Sequence, residues 1–258
     1  MKKFGLLLAI VVLSMMLAVP AMAAPIRLLG IDTGTAWQYS TVTGLSNVAS
    51  FTKVSEANFA TVNLNDYDVL MVSETFQDGG VTVPSQSTLN ALFARSNDIA
   101  AWLQAGHGIV ALSEPIGIGP YAWLPNNIQL GVPGVAMGNE TVQIVDPSHP
   151  VMAGLTDVNL SAWGTSSHNW FFTFTGGLSI LANNGDGDPI TLAGTYGAGR
   201  VVLTTQDADF HNFYNGNVTS LRLVQNAVDW VSPVPEPSMV WLLTMGLVGV
   251  LGFRKKIK

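Results

Sequence analysis

Short, continuously apolar segments alternate with amphipathic helical stripes through the middle of this chain, and that alternation restricts it to few architectures. Residues 26–32 (IRLLGID), 68–73 (DVLMVS) and 109–112 (IVAL) read as strands buried on both faces, and 50–56 as a further strand. Residues 85–105 place Leu89, Leu92, Phe93, Ile99, Ala100 and Leu103 at i, i+3, i+4 spacing, a helix opened by Pro84-Ser85 and closed by Gly106. Downstream, 141–145, 170–175 and 179–182 read as strands. Residues 190–196 and 200–205 form a hairpin across Gly197-Ala198-Gly199, and 218–231 form a helix with Leu221, Val224, Val228 and Val231 on one face. Residues 115–138, rich in Gly and Pro, read as a long excursion. The expected class is α/β, a mostly parallel sheet flanked by helices in the flavodoxin-like manner.

Neither end belongs to that layered core. Met1-Lys2-Lys3, the uncharged run 4–19 and the small-x-small site Ala21-Met22-Ala23 have the three-part order of a secretory signal peptide, residues 1–23. At the other end Val234-Pro235-Glu236-Pro237-Ser238 precedes an uncharged stretch, 239–253, and the basic tail Arg254-Lys255-Lys256-Ile257-Lys258. As a helix that stretch would span about 22 Å, short of a hydrocarbon core of about 30 Å, with its basic end toward the cytoplasm. The folded domain is thus expected over 24–232, with a sorting and anchor segment over 233–258.

Setting the ends aside changes the charge. Of eleven basic residues only Arg27, Lys53, Arg95, Arg200 and Arg222 lie in 24–232, against sixteen of the seventeen acids, a net charge of −11 where the whole chain has −6. Phosphate backbones need clustered Lys and Arg, so nucleic acid is not an expected partner. The chain has no cysteine, which removes disulfides, thiol nucleophiles and thiolate metal sites.

The tail resembles the PEP-CTERM sorting signal of Gram-negative bacteria, with Pro235, Glu236 and Pro237 as its motif. The resemblance implies passage through the secretion machinery and a transient transmembrane helix. It also implies recognition by an exosortase, then cleavage and a place at the cell surface or in the extracellular biofilm matrix, with polysaccharide as a partner.

Four segments of the middle resemble the class I glutamine-amidotransferase-like fold and, within it, the ThuA-like group. They are Asn65-Asp66-Tyr67-Asp68-Val69-Leu70, residues 103–112 (LQAGHGIVAL), residues 146–155 (DPSHPVMAGL), and Gly197-Ala198-Gly199-Arg200-Val201-Val202 with Asn226-Ala227-Val228-Asp229-Trp230. Amidotransferases carry a Cys nucleophile after the strand that is 109–112 here, where this chain has Ser113-Glu114-Pro115. The His-x-Glu end of their triad would fall in 206–211, which reads QDADFH. The family's own reaction is therefore not expected, and fold alone does not supply another.

In open α/β sheets the loops after the carboxyl ends of strands line the binding crevice. Asp207, Asp209 and His211 follow such a strand and could hold a divalent cation, with no other cofactor expected; their alternative is a solvated acidic loop. Ser113 and Glu114, with His168 or His211 as base, are the catalytic candidates, although Ala-Leu-Ser-Glu-Pro is no nucleophile elbow. Trp163, His168 and Asn169 are candidates for lining the crevice. Trp170, Phe172 and Phe174 share one side of their strand and are expected in the core. His149 reads as bonded to backbone in its Pro-flanked loop, and His107 as a helix C-cap. The reading is an exported, exosortase-processed surface protein whose domain is non-catalytic and binds glycan in the crevice. The alternative is a carbohydrate-active or metal-assisted enzyme working at the same edge.

Overall fold

Apolar alternation within each central strand feeds two cores at once. The computed structural model describes residues 25–32, 38–73, 76–78, 81–83, 85–112, 121–125, 129–131, 141–164, 167, 169–174 and 177–233. Residues 25–233 form one contact unit. The expected signal peptide, the C-terminal helix and its Pro235-Glu236-Pro237 motif lie outside the described residues. Among those described, no helix is long and apolar enough to cross a membrane.

The strands are β1 (Ile26–Asp32), β2 (Val48–Ser55), β3 (Val69–Val72), β4 (Phe76–Asp78), β5 (Val81–Val83), β6 (Gly108–Leu112), β7 (Gln129–Gly131), β8 (Val142–Ile144), β9 (Trp170–Thr173), β10 (Leu178–Asn184), β11 (Pro189–Tyr196) and β12 (Gly199–Thr204). The helices are α1 (Glu56–Phe59), α2 (Gln86–Ala94), α3 (Ser96–Gln104), α4 (Asp157–Ser161), α5 (Ala208–Asn215) and α6 (Val218–Val231). An eight-stranded sheet runs in the order β2-β1-β3-β6-β12-β11-β10-β8. β2, β1, β3, β6 and β12 are parallel. From β12 onward the pairs are antiparallel, so the sheet is mixed where a mostly parallel one was expected. The reason is connection length: turns of a few residues join β10 to β11 and β11 to β12, and a parallel crossover needs a dozen or more.

Leu28, Val69, Met71, Val110, Leu112 and Val202 face one core, where α6 lays down Leu223, Val224, Ala227, Val228 and Val231. Their neighbours Leu29, Ile31, Leu70, Val72, Ile109, Ala111, Val201 and Leu203 face the other, against Leu92, Ile99, Trp102 and Leu103 of α2 and α3. Period two along each strand thus divides the side chains between two helical layers.

Several expectations are corrected. The helix read over 85–105 is two helices: Arg95 leaves helical geometry at φ −113°, ψ 16°, and its guanidinium donates to the carbonyls of Phe59 and Val62, both at 2.8 Å. Around β9, Trp170 and Phe174 are partly buried against the two cores as expected, but Phe172 is 70% exposed and Phe171 is the fully buried ring, beside Tyr121. β9 pairs with β7 in a separate two-stranded ribbon, so the main sheet's alternation does not apply to it. His107 does not serve as a cationic cap. Its ring stacks on Trp102 at 4.6 Å, and burial holds its pKa below the ordinary value despite Asp68 and the Tyr67 backbone.

Backbone crowding makes Gly199 a fixed point of the β11–β12 turn. A Cβ there would lie 2.0 Å from the Leu103 carbonyl oxygen and 2.5 Å from that of His107. Gly199→Ala is expected to lower the unfolding free energy by about 1–3 kcal/mol, the usual scale of overpacking against groups that cannot give way. Urea denaturation of the substituted chain measures this.

Candidate functional site

Five parallel strands bring their carboxyl ends to one edge: β2, β1, β3, β6 and β12. The order β2-β1-β3-β6-β12 places a topological switch point between β1 and β3, where doubly wound sheets keep their ligands. This chain fills that position with its own Tyr39. The Tyr39 hydroxyl accepts from the Ile31 N–H at 2.8 Å and is 3.1 Å from the carbonyls of both Ile31 and Met71. The ring is 4% exposed and meets Phe51 edge-on at 5.0 Å. Gly30 makes the space, since a Cβ there would lie 2.7 Å from Tyr39 Cζ.

Tyr39 has a left-handed backbone, φ 62°, uncommon for a bulky residue. Asp209, fully buried in α5, braces it. Its Oδ2 accepts from the Tyr39 N–H at 3.1 Å and from the Ser73 hydroxyl. Its Oδ1 accepts from the Thr41 N–H at 3.1 Å and from the Thr41 hydroxyl. The Ser40 hydroxyl donates to the Asp209 carbonyl at 2.6 Å. The segment after β1, the residue after β3 and the helix after β12 therefore meet on one carboxylate. Burial pushes the Asp209 carboxyl above its ordinary pKa, and the four donors offset only part of that.

Asp207 and His211 lie beside this latch, both buried, with Asp207 Oδ1 3.1 Å from His211 Nε2. The other ring nitrogen, Nδ1, is 3.3 Å from the Asn215 amide nitrogen. A general base needs one nitrogen for its orienting carboxylate and the other for the nucleophile. Here both nitrogens face protein groups. Among the described residues no group of three His, Asp or Glu side chains could hold a metal ion, so Asp207, Asp209 and His211 do not form one ligand set there. Nor do they form a solvated loop. They open α5, a buried helix start that the polar sequence QDADFH did not announce.

The remaining candidates fall into three groups. Trp163 is a core residue, 2% exposed; its indole N–H donates to the Thr219 hydroxyl at 2.8 Å and its ring lies 5.6 Å from His211. Asn169 is buried at the same edge, its carbonyl accepting from the Thr205 hydroxyl at 2.7 Å. Ser113, Glu114 and His168 lie outside the described residues. His149 accepts from the Val151 N–H through Nδ1 at 3.2 Å, the backbone role expected of it. A cavity of about 410 Å³ lined by Asn63, Asn65, Arg95, Asp98 and Trp102 lies away from this edge, beside the entry to β3. Sequence reasoning missed Tyr39, Thr41 and Ser73. Tyr39 and Thr41 lie in a polar segment without periodicity and Ser73 closes an apolar strand, so only the partnership with Asp209 gives them a role.

Comparison with known proteins matches the PEP-CTERM protein-sorting motif over residues 233–256. The match implies export, recognition by an exosortase and sorting toward the cell surface. The curated proteins give no match. Among solved structures, a cytoplasmic protein from Salmonella typhimurium is similar at 16% identity and TM-score 0.55, covering 81% of this chain and 100% of its own. A glutamine amidotransferase from Thermotoga maritima is similar at 11% identity and TM-score 0.51, covering 80% and 98%. A ThuA-like protein from Parabacteroides merdae is similar at 15% identity and TM-score 0.44, covering 82% and 94%. At these identities the likeness is one of fold, amidotransferase-like as the motifs suggested.

The donors around Asp209 cannot be matched by an amide. One backbone N–H points at each carboxylate oxygen, so either orientation of an Asn side chain sets its NH2 against a backbone N–H. Asp209→Asn is expected to cost about 1–3 kcal/mol of unfolding free energy, the desolvation of an orphaned donor. The folded-state pKa of Asp209 lies above the ordinary 3.8, so the folded chain holds this proton more tightly than the unfolded chain. The stability this contributes is complete below that value and is lost as pH rises through the folded-state pKa. The excess stability of the wild type over Asp209→Asn should therefore shrink with rising pH, as read by urea midpoints at a series of pH values.

Proposed function

We propose that this is an exported, exosortase-processed protein of the cell surface or extracellular matrix, whose α/β domain is a non-catalytic module that binds glycan. The observation carrying the first half is the sorting motif over residues 233–256, which contains Pro235, Glu236 and Pro237 ahead of the apolar stretch and basic tail. The non-catalytic reading is supported by the carboxyl edge. The switch-point crevice holds the Tyr39 ring, the Asp209 carboxylate is consumed by Tyr39, Thr41 and Ser73, and both nitrogens of His211 face side chains of the protein. An edge assembled this way uses Asp209 to hold the fold together and gives both nitrogens of His211 protein neighbours. The absence of Cys removes the nucleophile of the amidotransferases whose fold it shares. A domain of net charge −11 suits a soluble position outside the cell and discourages binding to anionic polymers.

Expression in a Gram-negative host that encodes an exosortase, followed by mass spectrometry of the mature chain, tests the processing. The wild type is expected to lose both the signal peptide and the segment after the Pro-Glu-Pro motif. The double substitution Pro235→Ala, Glu236→Ala is expected to retain its C-terminal helix and stay with the membrane. A wild-type C-terminus still ending at Lys258 in that host would overturn the proposal.

A further inference from the structure

Helix α5 turns two faces in opposite chemical directions. Ala208, Asp209 and His211 are buried at the carboxyl edge, while Phe213 and Tyr214 are 47% and 56% exposed. Phe210, Phe213 and Tyr214 follow i, i+3, i+4 spacing, so they share one side of α5. The rings brace each other: Phe210 and Tyr214 have centroids 4.5 Å apart, and Phe213 and Tyr214 are 5.0 Å apart at 81°. Gly216, at φ 59°, ends the helix, and the Asn217 side chain caps the next one by accepting from the N–H groups of Thr219 and Ser220. The aromatic surface is thus held between two fixed helix ends.

Its charge pattern selects the partner. Residues 210–221 contain no Lys, Arg, Asp or Glu, within a domain of net charge −11. A membrane-surface helix would pair its aromatics with Lys and Arg, and a nucleic-acid site would need the same cations. An anionic polymer would meet the field of the surrounding acids. A second copy of this chain is a poor fit on area. Taking about 150–250 Å² per aromatic side chain, the exposed parts of Phe213 and Tyr214 amount to on the order of 200 Å², against about 800 Å² per partner in a stable interface. An uncharged sugar ring matches what remains. Its C–H face packs on aromatic rings that are already braced against one another, so little entropy is lost on binding.

We propose that the solvent face of α5, built from Phe213 and Tyr214 and backed by Phe210, stacks the rings of an uncharged polysaccharide. This deepens the reading of the domain as a glycan-binding module and rests on it, moving the contact from the filled switch-point crevice to the neighbouring helix. The test is native affinity electrophoresis of the full chain, extracted in mild detergent, through gels containing laminarin, dextran or galactomannan, with alginate as the anionic comparison. The wild type is expected to be retarded by at least one uncharged polymer and not by alginate. The double substitution Phe213→Ala, Tyr214→Ala should weaken that retardation by about tenfold, the scale of one lost stacking contact, while thermal unfolding remains a single cooperative transition. The conservative pair Phe213→Trp, Tyr214→Phe should keep it.

Free migration of the wild type through all three uncharged gels would overturn the ligand class, and with it the glycan part of the function. Retardation that the double alanine substitution leaves intact would overturn the site alone. Sedimentation showing a wild-type dimer that the same substitution converts to monomer would make this face a self-contact and overturn the proposal. None of these readouts depends on C-terminal processing, so export by the sorting motif stands or falls separately.

Discussion

The carboxylate of Asp209 is the point on which this edge of the fold is hung. Among the described residues it has no cationic partner, and its burial is costly unless hydrogen bonds replace the lost water. Four donors do so, and they come from two separate strand ends. This explains how a bulky residue such as Tyr39 can occupy a left-handed backbone conformation. Its N–H is held by Asp209 from below while its hydroxyl is pinned to Ile31 and Met71 across β1 and β3. Gly30 completes the arrangement, because any side chain there would meet the ring.

This latch has a chemical consequence. In an α/β sheet the carboxyl edge is where backbone ends diverge and leave room for a ligand. Here the room at the switch point is taken by an aromatic ring and a satisfied carboxylate. His211 lies one helical turn from Asp207, in a spacing that looks like a catalytic pair in the sequence. Its second nitrogen, however, faces Asn215. Asp209 joins α5 to the segments that follow β1 and β3, while Asp207, His211 and Asn215 contact one another along the helix.

The central strands were legible because period-two burial on both faces leaves continuous apolar runs, and α6 because Val224, Val228 and Val231 keep helical spacing over fourteen residues with no Gly or Pro. The antiparallel pairing of β11 with β12 was legible in Gly197-Ala198-Gly199, yet its effect on the class of the sheet was not, since β8 and β10 join through register and not through motif. α5 was missed for a specific reason. Its inward face carries Asp209 and His211, so the usual apolar stripe is inverted, with Phe210, Phe213 and Tyr214 facing out. A periodicity search that assumes apolar means inside reads such a helix as a polar loop.

The family-like segments that made the fold recognisable serve mainly to hold it together. The loop containing His149 is fixed by the Asn226 amide, which donates to the carbonyls of Val151 and Ala153 at 3.0 and 2.9 Å. His149 meets Trp230 edge-on at 4.7 Å. Arg200 donates to the Trp230 carbonyl at 2.8 Å and lies over its ring. The segments 146–155, 197–202 and 226–230 therefore converge on one structural cluster, built from backbone carbonyls and ring contacts. Residues that pack and cap are constrained by the fold itself, and they can hold this pattern in a chain that has no cysteine. Resemblance in this chain consequently reports architecture, and the chemistry has to be sought where the architecture leaves groups exposed.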